Sequence, residues 1–239
     1  MKPVPSERLI VVDSEALAEA AAQRIARVVE QAIARRGRAA IALAGGTTPR
    51  AVYRRLVQIA RFSWEKTDIY FGDERAVPPG DPQSNYRMAR ESLLDAVPIP
   101  AAQIHRMQAE RVDLETAAKE YASQLPEHLD LIILGVGEDG HTASLFPGSA
   151  ALHEQTRKVI PVEGPKPPPR RLTVTPPVIT AAISKIVLAS GPGKARAVAR
   201  ALDRAGGPDQ CPARLARDGI WILDHAAASG LRNNTEKRA

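Results

Sequence analysis

The sequence predicts an α/β fold with a parallel sheet flanked by helices. Short apolar runs of Val, Ile, Leu and Ala alternate with longer Arg- and Ala-rich stretches of helical character, the pattern of repeated strand–helix units. One run, Asp130-Leu131-Ile132-Ile133-Leu134, has no polar alternation, as expected of a strand buried on both faces at the centre of a parallel sheet. With 239 residues, no internal repeat and no long linker, a single domain over 1–239 is the economical organisation.

Arg8 to Asp13 reads as a first buried strand. Ser14 is the expected N-cap of an Ala-rich helix running to about Arg36, and Gly37 stops it. Ala39 to Ala44 forms a second strand, and Gly45-Gly46-Thr47-Thr48-Pro49 turns it into a helix through about Ile59. Pro49 suits the first helical turn, where its missing N–H costs nothing. Thr67 to Gly72 is a third strand, followed by a polar loop from Asp73 to Asn85 and a helix to about Asp95. Ala117 to Gln124 reads as helix. The central strand at 130–134 opens into a Gly-rich loop. Lys158 to Val162 and Arg171 to Val174 are short strands separated by the Pro-rich connector Pro165 to Pro169. Ser184 to Ala189 is a further buried strand, Ser190-Gly191-Pro192-Gly193-Lys194 leads into an Arg/Ala-rich helix, and Ile220 to Asp224 is the last strand. The polar tail from about Arg232 is expected to fray.

Composition narrows the partners. The single cysteine, Cys211, excludes an internal disulfide framework and suits a reducing, cytoplasmic compartment. Beside Pro212, it reads as a thiol with no role. Met1 to Glu7 has no apolar core, so no secretory signal is expected. No apolar run approaches the roughly 20 residues that span a bilayer. The net charge is +6 and the sequence pI about 9.7. Much of the Arg accompanies Ala in helical stretches, as in Arg24, Arg27, Arg35 and Arg36, or Arg196, Arg200 and Arg204, and reads as solvated helix faces. With aromatics at 4%, no basic segment carries the rings that stack bases. Neither nucleic acid nor membrane is the expected partner. Small anions remain among the ligands that a basic chain can attract, and a monomer or small homo-oligomer is the expected state.

In open parallel sheets ligands bind at the carboxyl ends of the strands, and the chemistry-bearing residues fall at four such ends. Gly45, Gly46, Thr47 and Thr48 offer close backbone approach, hydroxyls and the free N–H groups of a helix start, all suited to a phosphate. The alternative is a tight turn capped by Thr47 or Thr48. The loop is not a Walker A sequence, which ends in Gly-Lys-Ser/Thr. Asp73-Glu74-Arg75 places a forked guanidinium at a strand end, for an anion or for a local ion pair. Gly135-Val136-Gly137-Glu138-Asp139-Gly140-His141 is an open loop in which Asp139 stands two residues from His141. A carboxylate there can orient an imidazole base, although a lone His is more often structural. No second His or Cys sits at a metal-ligand spacing, the glycines do not read Gly-x-Gly-x-x-Gly, and Ser144 lacks a Gly-x-Ser-x-Gly elbow. Lys194 at the fourth end either reaches an anion or faces solvent.

Together these segments resemble the 6-phosphogluconolactonase family. The matching stretches are Ala42 to Pro49, Phe71 to Pro78 with Ser84-Asn85-Tyr86, Leu134 to Pro147, Pro169 to Thr173, and Gly193-Lys194, in order over about residues 8 to 224. The resemblance implies a Rossmann-like sheet similar to that of glucosamine-6-phosphate deaminase, and hydrolysis of 6-phospho-D-glucono-1,5-lactone in the pentose phosphate pathway. It implies His141 as general base for water, oriented by Asp139. Gly45, Gly46, Thr47, Asp73, Arg75, Arg171 and Lys194 would bind substrate, and no metal or organic cofactor is implied. Arg170 adjoins Arg171, so the arginine at that place is open by one position. The deaminase is the nearest competitor, since its loop also carries Asp-Gly-His. Its pattern has Tyr where this chain has Arg75, and Glu where this chain has Phe146. A sugar-phosphate sensor without turnover is the remaining alternative.

Overall fold

The computed structural model describes residues 8–203 and 205–231. The expectations for Met1 to Glu7, Arg204 and the tail from Arg232 fall outside the described residues. The strands are β1 (Leu9–Val12), β2 (Ala39–Leu43), β3 (Thr67–Phe71), β4 (Asp73–Arg75), β5 (Leu131–Gly135), β6 (Val159–Glu163), β7 (Arg170–Val174), β8 (Ser184–Ala189) and β9 (Ile220–Asp224). The α-helices are α1 (Leu17–Arg36), α2 (Thr47–Ile59), α3 (Asn85–Ser92), α4 (Leu114–Gln124), α5 (Pro176–Ala181), α6 (Ala195–Leu202) and α7 (His225–Ala228).

Six strands form one sheet in the order β1-β9-β8-β5-β2-β3, every pair parallel. The unbroken apolar run takes the central position it predicts: Leu131, Ile132 and Ile133 are wholly buried between β2 and β8. Each such side chain contributes about 1.5–3 kcal/mol of burial. The chain leaves β2 toward β3 but leaves β5 toward β8, so its direction of winding reverses between β2 and β5. The carboxyl ends of these two strands therefore diverge into a crevice.

Helix α1 covers the sheet with Leu17, Ala21, Ala22, Ile25, Val29 and Ala32, a three-to-four spacing that keeps one face apolar. Gly37, at φ 79°, ends it and returns its N–H to Ile33. The start differs from the sequence expectation. Ala16, not Ser14, occupies the N-cap position, and no side chain caps the helix. Ser14 lies beside Asp224 at the end of β9, where it helps to hold that carboxyl's pKa down.

The second departure shapes the site. Asp73–Arg75, expected within a polar loop, forms strand β4, which pairs antiparallel with β7, and β7 with β6. The two short strands at 159–163 and 170–174 thus build a separate three-stranded sheet, order β4-β7-β6. Three charged residues carry no strand signature of their own. They become a strand because β7 supplies the missing hydrogen-bond partners. Elsewhere the boundaries shift modestly. Helix α3 ends at Ser92 before a 3-10 turn at Leu94–Ala96, and α4 begins at Leu114, where the Asp113 side chain accepts the Thr116 N–H. The Arg/Ala-rich helix α6 is preceded by a 3-10 turn at Pro192–Lys194. No described helix is long and apolar enough to cross a membrane.

Candidate active site

The ends of β2, β3, β5 and β8 surround a cleft of about 300 Å³ whose walls include Gly46, Thr47, Arg75, His141, Arg171 and Lys194. Gly45 and Asp73 also line it. Asp139 does not. It stands behind His141, with Oδ1 2.6 Å from the imidazole Nδ1.

The loop after β5 is built around that ring. Its Gly137 N–H donates to the His141 carbonyl, and the Gly140 N–H to the Gly137 carbonyl, at 2.8 and 2.9 Å. A Cβ on Gly137 would lie 2.0 Å from His141 Nδ1 and 2.5 Å from Asp139 Oδ1, so only glycine leaves room for the pair. The His141 backbone N–H also donates to Asp139 Oδ1, at 3.1 Å. Burial lowers the pKa of His141 below its ordinary 6.5, against the opposing pull of Asp139. Burial works to raise Asp139, but the His141 backbone N–H and the neighbouring imidazole outweigh it and hold the carboxyl below its usual range. A neutral imidazole that donates from Nδ1 to a carboxylate leaves Nε2 as a free acceptor.

After His141 the chain reverses tightly between Thr142 and Leu145, with Ala143 at φ 47°. A non-glycine residue in the left-handed region is strained, and this turn points the next side chain inward. The buried Ser144 hydroxyl donates to Asp73 Oδ2 at 2.6 Å. It makes no hydrogen bond to His141 among the described residues, so a Ser–His–Asp relay is absent. Phe146 lies between the His141 ring, 4.8 Å away between centroids, and the Arg171 guanidinium, 5.5 Å from its ring centre.

Arg75 and Arg171 occupy opposed positions in the β4–β7 register. The local ion pair, the alternative reading of Asp73-Glu74-Arg75, does not form among the described residues. Glu74 is buried and accepts the Arg75, Asn85 and Tyr86 backbone N–H groups and the Ser84 hydroxyl. The Arg75 guanidinium instead donates to the Gln83 carbonyl at 2.5 Å, and its Nε is buried with no partner among the described residues. Arg171 donates from Nε to the Pro168 carbonyl and from Nη2 to the Lys166 carbonyl, at 2.9 and 3.0 Å. Arg170, its neighbour, is exposed and reaches the Val112 carbonyl, so Arg171 is the arginine that faces the cleft. Burial lowers the pKa of Arg171, Asp73 opposes this, and Arg75 adds to it.

The first loop also resolves one of its two readings. Neither Thr47 nor Thr48 caps α2. Gly46 holds the cap position at φ 108° with no side-chain bond, so no side chain caps the Thr47 and Thr48 N–H groups beside the cleft, while the Arg50 N–H bonds the Gly46 carbonyl. Gly45 is required for another reason: a Cβ there would lie 1.9 Å from Asn85 Oδ1. Asn85 in turn donates to Asp73 at both its carboxylate and its carbonyl. At the fourth strand end, Asp224 accepts the Ser190 hydroxyl and the Gly191 N–H at 2.6 and 2.9 Å, fixing the turn that carries Lys194.

Two further residues line the cleft. Glu138 lies against Gly193, 2.9 Å from where a Cβ would stand; it belongs to the loop after β5, but the sequence assigned it no role. Lys166 enters from the Pro-rich connector, which carries no strand-end signal, and only the meeting of the two sheets brings it to the cleft. Cys211 is buried beneath Gly140, its Sγ 3.8 Å from the Gly140 carbonyl. Burial pushes its thiol pKa up, as expected of an inert structural cysteine. Among the described residues no group of three or more His, Cys, Asp or Glu side chains is disposed to hold a metal ion.

The arrangement pairs an oriented imidazole with several cations across one cleft. Residues 12–222 match the family model for glucosamine-6-phosphate isomerases and 6-phosphogluconolactonase. The chain belongs to this family. A 6-phosphogluconolactonase of Streptomyces coelicolor is 42% identical over 92% of both chains. The solved 6-phosphogluconolactonase of Trypanosoma brucei is 30% identical, covers 97% of this chain and 99% of its own, and superposes with a TM-score of 0.82. A monomeric glucosamine-6-phosphate deaminase, 21% identical, covers 93% of this chain and 99% of its own at a TM-score of 0.82. That likeness establishes the shared fold of the isomerase/lactonase family.

Proposed function

We propose that this chain hydrolyses 6-phospho-D-glucono-1,5-lactone to 6-phosphogluconate, as a cytoplasmic step of the pentose phosphate pathway. The observation that carries the reading is the 2.6 Å contact between His141 Nδ1 and Asp139, set in the cleft that also holds Arg75, Arg171 and Lys194. The names of the relatives support the same chemistry.

His141 Nε2 removes a proton from water as the water oxygen bonds to the lactone carbonyl carbon. The carbonyl oxygen takes up the negative charge. When the bond from that carbon to the ring oxygen breaks, the imidazolium returns its proton to the leaving oxygen. Asp139 holds the tautomer and stabilises the imidazolium without itself taking the proton. Arg75, Arg171, Lys194 and the open N–H groups at Gly46 and Thr47 hold the phosphate and the developing oxyanion. Phe146 packs against His141 and offers no second carboxylate there, which favours hydrolysis over ring-opening proton transfer.

The test is lactone loss, followed against the spontaneous rate, beside a parallel assay for ammonia release from glucosamine 6-phosphate. His141→Ala is expected to lower kcat/KM by about 10²–10⁴-fold, the usual worth of a general base, with the fold intact. A mutant that retains wild-type kcat/KM removes His141 from the mechanism.

A further inference from the structure

Asp73 and Arg171 are both buried and both line the cleft, yet they make no direct ion pair within 4.0 Å. The Ser144 hydroxyl stands between them. It donates to Asp73 Oδ2 at 2.6 Å and accepts from Arg171 Nη1 at 3.4 Å. A hydroxyl has one donor and two acceptor sites, so it can serve both at once.

We propose that Ser144 is a positioning residue: it separates the Asp73 carboxylate from the Arg171 guanidinium and so keeps Arg171 available to the anionic group of the substrate. This rests on the reading of the cleft as a phosphosugar site.

The surrounding bonds fit that role. The second Asp73 oxygen is occupied by Asn85 Nδ2 at 3.1 Å, so the Ser144 hydroxyl claims the oxygen left over. Arg171 is steered from the other side by the Pro168 and Lys166 carbonyls. Three of its five N–H groups are thereby committed, and two remain for a ligand. Ser144 is fixed by its own backbone, whose N–H donates to Thr173 Oγ1 at 3.2 Å, and by the strained turn at Ala143. Removing the hydroxyl frees one carboxylate oxygen beside a buried guanidinium. The strongest available pairing is then Asp73 with Arg171, which shifts the guanidinium and takes up the N–H groups left for the ligand.

The experiment compares wild type, Ser144→Ala, Ser144→Cys and the double variant Asp73→Asn/Ser144→Ala. Its readouts are kcat and KM for 6-phospho-D-glucono-1,5-lactone, calorimetric Kd for inorganic phosphate, and a crystal structure of Ser144→Ala. Ser144→Ala is expected to raise KM and the phosphate Kd about tenfold, the size of one charge-assisted hydrogen bond, with kcat changed much less. Its structure is expected to contain an Asp73–Arg171 ion pair. Ser144→Cys, which keeps the packing but bonds poorly, moves the same way and covers the case in which the alanine variant does not fold. The double variant, with no carboxylate to capture Arg171, is expected to bind phosphate more tightly than Ser144→Ala. Unchanged KM and Kd in both single variants, or Arg171 unmoved in the alanine structure, overturns the proposal. Wild-type protein that binds phosphate but leaves the lactone untouched overturns the lactonase reading instead, and the phosphate series still judges Ser144.

Discussion

Arg75 and Arg171 stand directly opposite each other on adjacent antiparallel strands. Like charges in opposed positions destabilise a strand pair, and here burial compounds the cost for Arg171. An anion between them relieves both. Inorganic phosphate is therefore expected to raise the melting temperature, with a gain of about 2.7 kcal/mol at a hundredfold excess over Kd. Arg75→Ala should lose most of this gain while melting no lower than wild type in phosphate-free buffer. An Arg75→Ala protein that phosphate stabilises as strongly as wild type would remove the pair from anion binding.

The Gly137 position offers a test of the base that leaves the base in place. A methyl group there would meet His141 Nδ1 at 2.0 Å, so the ring must move. A displacement of about 1 Å at a reacting group costs roughly 10²-fold in rate. Gly137→Ala is expected to lower kcat by about that factor with a smaller change in KM. Steady-state kinetics beside a thermal melt separates this from unfolding, and an unaltered kcat would show that the His141 position is not critical.

The pH profile follows from the environment of His141. Its pKa is lowered by burial, and the base works only when neutral. Activity should thus be full at neutral pH and fall as pH drops through a midpoint below 6.5, the ordinary value. Asp139 favours the charged ring, so Asp139→Asn should move the acid limb to still lower pH and also reduce kcat through loss of orientation. Measurement of kcat/KM from pH 5 to 7, corrected at each pH for the spontaneous rate, gives the midpoint for the free enzyme. A limb midpoint above 6.5 contradicts the assignment.

Asp224 ties the last strand to the turn carrying Lys194. Burial works to raise its pKa, but the Ser190 hydroxyl and the Ala227 and Gly191 N–H groups prevail and lower it. A depressed carboxyl stabilises the fold above its unfolded pKa of about 3.9 and loses that contribution as pH falls through the folded value. Asp224→Ala is expected to cost about 2 kcal/mol at pH 7, a difference that shrinks in acid, and to raise KM through the loosened Lys194 turn. Chemical denaturation at pH 7 and pH 3 checks the sign. A gap that widens in acid would contradict it.

The amino-acid sequence by itself determined the parallel sheet, because apolar runs such as Leu131 to Leu134 state their burial locally. It also marked the strand ends where His141, Asp139, Arg75 and Lys194 cluster, since glycine-rich turns after buried strands are short-range signals. It favoured the lactonase reading through Arg75 and Phe146. Tertiary structure alone decided the second sheet. Asp73–Arg75 has no strand propensity and pairs only because β7 is brought beside it. That pairing sets Arg75 against Arg171, chooses Arg171 over Arg170 for the cleft, and closes Ser144 between Asp73 and the guanidinium. Lys166 reaches the site the same way. Each of these contacts joins residues far apart in the chain, where no local pattern of hydrophobicity, turn chemistry or charge records which partner will arrive.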